Sequence, residues 1–127
     1  MDDRAPTILP ELPNYLAPDG SAIRLLAHGR LGSLCHCTLP EGGRTTAVHH
    51  RQVEELWYCV SGQGEVWRFG LGPYELVKLA PGVSLVIPPL TNFQFRNTGV
   101  SDLVLLVTTM PPWPGAEEAV PSPGRWP

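Results

Sequence analysis

Read for apolar and polar positions, the chain breaks into short runs of strand length. From Ile23 onward the runs are Ser33 to Leu39, Glu55 to Val60, Glu65 to Phe69, Leu76 to Leu79, Ser84 to Ile87, Asn92 to Asn97 and Leu103 to Thr108. Turn-forming clusters separate them, at Pro40-Glu41-Gly42-Gly43, Ser61-Gly62-Gln63-Gly64, Gly70-Leu71-Gly72-Pro73 and Pro81-Gly82. Strand-sized runs at this spacing predict an all-β sandwich or barrel. No segment sustains a helical period, although Ala116 to Val120 could form one turn. The ends read differently. Pro6, Pro10, Pro13 and Pro18 predict an extended arm over residues 1–20, because proline removes a ladder donor. The stretch that begins Pro111-Pro112-Trp113-Pro114 is expected to form no ladder. It reads as a docked or partly disordered tail over 111–127, which leaves one barrel over 21–110.

Composition sharpens this picture. The 127 residues include 13 glycines and 15 prolines, which helix interiors exclude and β-turns use. A chain of this length supports one core and one domain. The net charge is -3 with no basic run, which disfavours nucleic acid, whose phosphates need clustered Lys and Arg. Met1-Asp2-Asp3-Arg4 is acidic and leads into no apolar segment, unlike a secretory signal. No stretch approaches the roughly 18 apolar residues of a membrane span, so no membrane partner is expected. Cys35, Cys37 and Cys59 are read as reduced thiols in the cytoplasm.

The chemistry concentrates between Gly43 and Gly64, a stretch holding His49-His50-Arg51 and Glu55. A second stretch runs from Gly82 through Pro88 to Thr91-Asn92-Phe93-Gln94-Phe95-Arg96-Asn97. In order and spacing the two resemble the paired signatures of the cupin family. The first signature is a glycine, His-x-His, a glutamate and a second glycine. The second is a glycine, Pro-x-Gly, a histidine and an asparagine. With its flanking strands the resemblance covers about residues 25 to 110. It implies a double-stranded β-helix, the jelly-roll barrel. Three imidazoles and one carboxylate there hold a divalent metal (iron, nickel, manganese or zinc) with positions open for substrate.

Carried over residue by residue, that ligand set is incomplete. With three residues before the glutamate, the positions fall on His49, Arg51 and Glu55. With four, they fall on Val48, His50 and Glu55. Either register keeps one histidine. The second signature's histidine is replaced by Phe93, which cannot ligate, and its glycine by Leu90. If a metal is bound, His50 and Glu55 are its expected ligands; the residues dictate no cofactor.

Glu55 leads the catalytic candidates, since a carboxylate on the strand Leu56-Trp57-Tyr58-Cys59-Val60 must be paired or used. Arg51, Arg68 or Arg96 could pair with it. Strand alternation puts Trp57 and Cys59 on its face. His49 or His50 would share its proton transfer, unless the pair forms a solvated turn. Arg51 would orient an anionic group on a substrate, or form a salt bridge to Glu54 or Glu55. Trp57, Cys59, Trp67, Phe93 and Phe95 would line a site for a partly apolar small molecule. Cys35 and Cys37 share a face opposite His36, which suits core packing better than a metal cluster.

The expected function is acid–base chemistry in the barrel mouth, of the isomerase, cyclase or dehydratase type. The alternatives are a non-catalytic ligand-binding or sensory cupin, and a metal-dependent oxygenase or isomerase with an unconventional ligand shell. Cupins commonly pair, so the resemblance implies a homodimer, with the prolyl arms and Trp113 as an anchor on the neighbour.

Overall fold

A computed structural model of the chain describes residues 4–127. Among these residues eleven strands follow one another: β1 (Tyr15–Leu16), β2 (Ala22–His28), β3 (Ser33–Leu39), β4 (Val48–His50), β5 (Glu54–Ser61), β6 (Gly64–Arg68), β7 (Leu76–Leu79), β8 (Ser84–Ile87), β9 (Phe93–Asn97), β10 (Leu103–Met110) and β11 (Ala119–Pro121). They form two antiparallel sheets, ordered β1-β2-β3-β10-β5-β8 and β11-β4-β9-β6-β7. This is the expected all-β jelly-roll barrel. β3, β7 and β8 coincide with the runs read from the sequence.

Alternation decides what each strand buries. Along β5, Glu55, Trp57 and Cys59 are buried while Leu56, Tyr58 and Val60 are exposed. Cys37, Leu39, Leu103 and Leu105 from the first sheet meet Val66 and Phe95 from the second in one core. Burying a side chain of this size contributes about 1.5–3 kcal/mol, and a one-residue slip would turn the whole row outward. The corner between β5 and β6 needs Gly62, which sits at φ +89, where a Cβ would collide with the Asp102 carbonyl.

The tail departs from expectation by joining a sheet, while the N-terminal arm lies along a sheet edge, its residues 1–3 falling outside the described residues. β1 pairs with β2, Tyr15 opposite Ile23, and the Arg24 guanidinium donates to the carbonyls of Pro10 and Glu11 at 3.0 Å each. β11 pairs with β4, so the tail does form a ladder; its proline takes the last position of an edge strand, where a missing donor costs little. The expected helical turn appears as a short 3-10 turn over Ala116–Glu118. Gln94 fastens the tail. Its Nε2 donates to the carbonyls of Thr45 (2.9 Å) and Trp126 (3.1 Å), and its Oε1 accepts from the amides of Arg125 and Trp126 at 2.9 Å. Among the described residues no helix is long and apolar enough to cross a membrane.

Candidate functional site

A cavity of about 1000 Å³ opens at one end of the barrel. The strands that line it continue into packed core. β5 runs from Glu55 at the cavity to Cys59 in the core, and β10 runs from Leu103 in the core to Thr109 at the cavity. The cavity is therefore the unfilled end of the interior between the two sheets.

Glu55 faces this space from β5, opposite Ile87 on one side and Thr109 on the other. It is 8% exposed, and its Oε1 accepts the Trp57 indole N–H at 2.9 Å. The three arginines that could have neutralised it are all engaged elsewhere. Arg51 donates to the Glu117 carbonyl at 3.0 Å, and Arg68 to those of Val86 and Tyr74 at 2.8 Å each. Arg96 pairs with Glu65 at 2.7 Å. Desolvation pushes the Glu55 carboxyl up to about 7, against the opposing pull of the Trp57 bond.

β4 settles the histidine register. Val48 pairs with Phe93, and the alternation that buries Val48 and His50 turns His49 outward. His49 Nδ1 meets Ser122 Oγ at 2.7 Å on the tail. His50 is 4% exposed and lines the cavity, and among the described residues its Nδ1 has no hydrogen-bond partner. Burial holds the imidazole neutral by lowering it to about 4. Its ring meets Phe93 edge to face, with centroids 5.2 Å apart, and Trp113 at 5.1 Å. Trp113 thus caps its own barrel.

These residues do not fit a held metal. The four ligand positions are filled by Val48, His50, Glu55 and Phe93. Two of those side chains have no donor atom, and the Phe93 ring stands against the remaining imidazole. Among the described residues no group of three His, Cys, Asp or Glu side chains could hold a metal ion.

Of the residues singled out in the sequence, His50, Glu55, Trp57, Phe93 and Phe95 meet at the cavity. The others stand elsewhere. His49 faces the tail, and exposed Arg51 lies on the outside, where it cannot orient a substrate within the barrel. Cys59 is buried in core beyond the cavity, with its thiol donating to the Ser61 carbonyl at 3.6 Å. Trp67 pairs with Gln94 on the opposite face from Val66, and its indole donates to Glu75 at 3.1 Å. It therefore lines the outside of the second sheet.

The sequence reading missed Asp19. It lines the same cavity, and its Oδ1 accepts the Ser21 amide at 2.9 Å and the Ser21 hydroxyl at 2.6 Å. Burial raises its carboxyl, and its charge raises Glu55 in turn. Asp19-Gly20-Ser21 reads locally as a turn, and no local signal shows that the turn folds over a cavity. Cys35 and Cys37 also face Glu55, with thiols pushed up by burial, Cys35 to about 12.

Comparison with known proteins agrees with this architecture. Residues 35–109 match the family model described as a cupin domain. An uncharacterized protein of Methanocaldococcus jannaschii is 32% identical over 104 residues, which span 78% of this chain and 80% of that protein. Among solved structures, a Streptomyces PAC13 variant with uridine is similar over 94% of this chain and 91% of that one, at TM-score 0.71 and 14% identity. A predicted oxalate decarboxylase of Thermotoga maritima is similar over 82% and 98%, at TM-score 0.67 and 16% identity. At these identities the structures show a shared fold.

Proposed function

The chain belongs to the cupin family, and from that premise we propose that it is a small-molecule enzyme using acid–base chemistry without a metal. The observation that carries this is Glu55, a buried carboxylate with no cation paired to it among the described residues, facing a cavity large enough for a metabolite. A carboxyl raised to about 7 is poised to take and return a proton near neutral pH. Trp57 orients it through one oxygen, and among the described residues no donor reaches the other. His50, neutral and inside the same cavity, supplies a second polar contact for substrate. The reaction class is isomerisation, cyclisation or dehydration, in which a proton leaves one carbon or oxygen and returns at another. PAC13, solved with uridine, is a protein of this fold accompanied by a small organic molecule.

The test is incubation of the purified chain with a metabolite extract, followed by mass spectrometry. A substrate ion should give way to an isobaric product or one lighter by a water, and the change should vanish with Glu55→Gln. Saturable ligand binding without conversion would instead establish a binding protein.

The same reading includes a homodimer and a reducing, cytoplasmic setting, which the three free cysteines suit. The surface that fits a second copy is the outer face of the first sheet. Leu56, Tyr58 and Val60 lie exposed there, beside partly buried Val86 and Leu106.

A further inference from the structure

The reading of Glu55 as an acid–base group leaves the chemistry of its ligand open, and the cavity wall bears on it. Two carboxylates, Asp19 and Glu55, face one desolvated space from different strands and loops. Asp19 Oδ1 is taken by the Ser21 turn. Opposite lie aromatic rings. Trp57 meets Phe93 and Phe95 edge to face at 5.9 Å and 4.9 Å, and Trp113 closes over His50. Among the described residues that line the cavity, none is Lys or Arg.

The other titratable groups facing Glu55 do not balance the charge. Tyr15, Cys35 and Cys37 are held in their neutral forms by burial, and His50 is held neutral too. His28 stands on the exposed rim. With Glu55 ionised, an anionic ligand would meet two like charges in a largely apolar cavity. A cation would relieve their mutual repulsion and gain the faces of the surrounding rings.

Resting on the acid–base reading above, we infer that the ligand of this cavity is an organic ammonium, an amine on an apolar or aromatic body, whose positive charge is matched by Asp19 and Glu55. The assignment reverses the polarity expected from Arg51, which the fold places outside. Within it Asp19 is the anchoring carboxylate, and Glu55 is the group that exchanges a proton with the bound amine's carbon frame. Because a bound cation favours ionised Glu55, binding releases a proton where Glu55 was protonated.

The test is calorimetry of the full chain with three probes of similar shape: phenethylamine, phenethyl alcohol and phenylacetate. At about pH 8 the amine should bind at least about tenfold more tightly than either other probe, and its advantage should shrink at about pH 6 as Glu55 is protonated. Asp19→Asn should erase the preference for the amine and leave the alcohol unchanged. Since Asp19 also holds the Ser21 turn, Glu55→Gln serves as a second variant, and it should reduce the same preference. Equal binding of the three probes, binding of none at millimolar concentration, or a preference that survives both variants overturns the inference. A Glu55-dependent turnover of a neutral or anionic metabolite would sink this assignment and leave the acid–base reading intact. Amine selectivity without any Glu55-dependent turnover would do the reverse.

Discussion

Phe93 stands edge to face against His50, ring centroids 5.2 Å apart and planes at 78°. The aromatic ring occupies a position where the family signature has a third imidazole, and it converts a coordination site into an apolar wall. Returning a donor to that wall should restore metal affinity. Phe93→His, combined with Val48→His, places four donors where two stand now. Elemental analysis after exposure to zinc or nickel should show near-stoichiometric metal in the double variant, lost again with Glu55→Ala. A double variant that folds and stays metal-free would show that position alone does not make the site.

Glu55 and His50 make opposite contributions to stability as pH changes. The Glu55 carboxyl is raised in the fold, from 4.5 to about 7, so its contribution is full below the lower value and is lost as pH climbs through the upper one. The His50 imidazole is lowered, from 6.5 to about 4, so its contribution is full above the higher value and is lost as pH falls towards the lower. Between these limits the two slopes cancel in the native protein. Glu55→Gln should therefore raise stability at about pH 8 by up to about 3 kcal/mol and leave a curve that rises with pH through the acid range. His50→Gln should leave one that falls. Chemical denaturation across the range would read both, and parallel curves for the two variants would contradict the assignment.

Leu90 sits at φ +65, in the left-handed region that favours glycine, and its amide donates to the His50 carbonyl at 2.8 Å. Its side chain is 69% exposed, so little packing compensates for the conformation. Leu90→Gly should stabilise the protein by about 0.5–1 kcal/mol, a gain limited by the extra freedom of glycine in the unfolded chain. Thermal unfolding would detect it. A lower melting temperature would mean that Leu90 makes an apolar contact worth more than its strain.

Gln94 spends both ends of its amide on the tail and the β4 approach. Gln94→Leu would leave two amides and two carbonyls without this partner, at a cost of about 2–3 kcal/mol. Hydrogen exchange should speed up at Arg125 and Trp126 first. Unchanged protection there would show that the Arg96–Trp126 stacking, at 4.3 Å, holds the tail by itself.

If the outer face of the first sheet joins two copies, a charge at its centre should separate them. Tyr58→Arg is expected to sediment as a monomer while keeping the native melting behaviour, because Tyr58 is already 47% exposed in the single chain. A native protein that is monomeric at micromolar concentration would remove the basis for the dimer.

The all-β architecture was legible in the chain because strand alternation and turn chemistry are local. The residues of β3, β7 and β8 carry their own boundaries, and Glu55, Trp57 and Cys59 share a face by period two alone. The loss of metal ligands was legible for the same reason, since Phe93 lacks a donor wherever it points. The tertiary structure decided everything that depended on pairing over distance. Whether His49 or His50 turned inward hung on one residue of register, fixed by β4 lying between β9 and β11. Trp67 went outside through the β6–β9 register, Arg51 lies outside against the tail, and Asp19 and Trp113 came in beside two proline-rich ends whose sheet partners no local pattern announced. The sequence by itself therefore determined a cupin barrel in which two of the signature's ligand positions hold no donor. Only the fold made that site a carboxylate-walled cavity, since the sign of charge in a buried space depends on which side chains long-range pairing turns towards it.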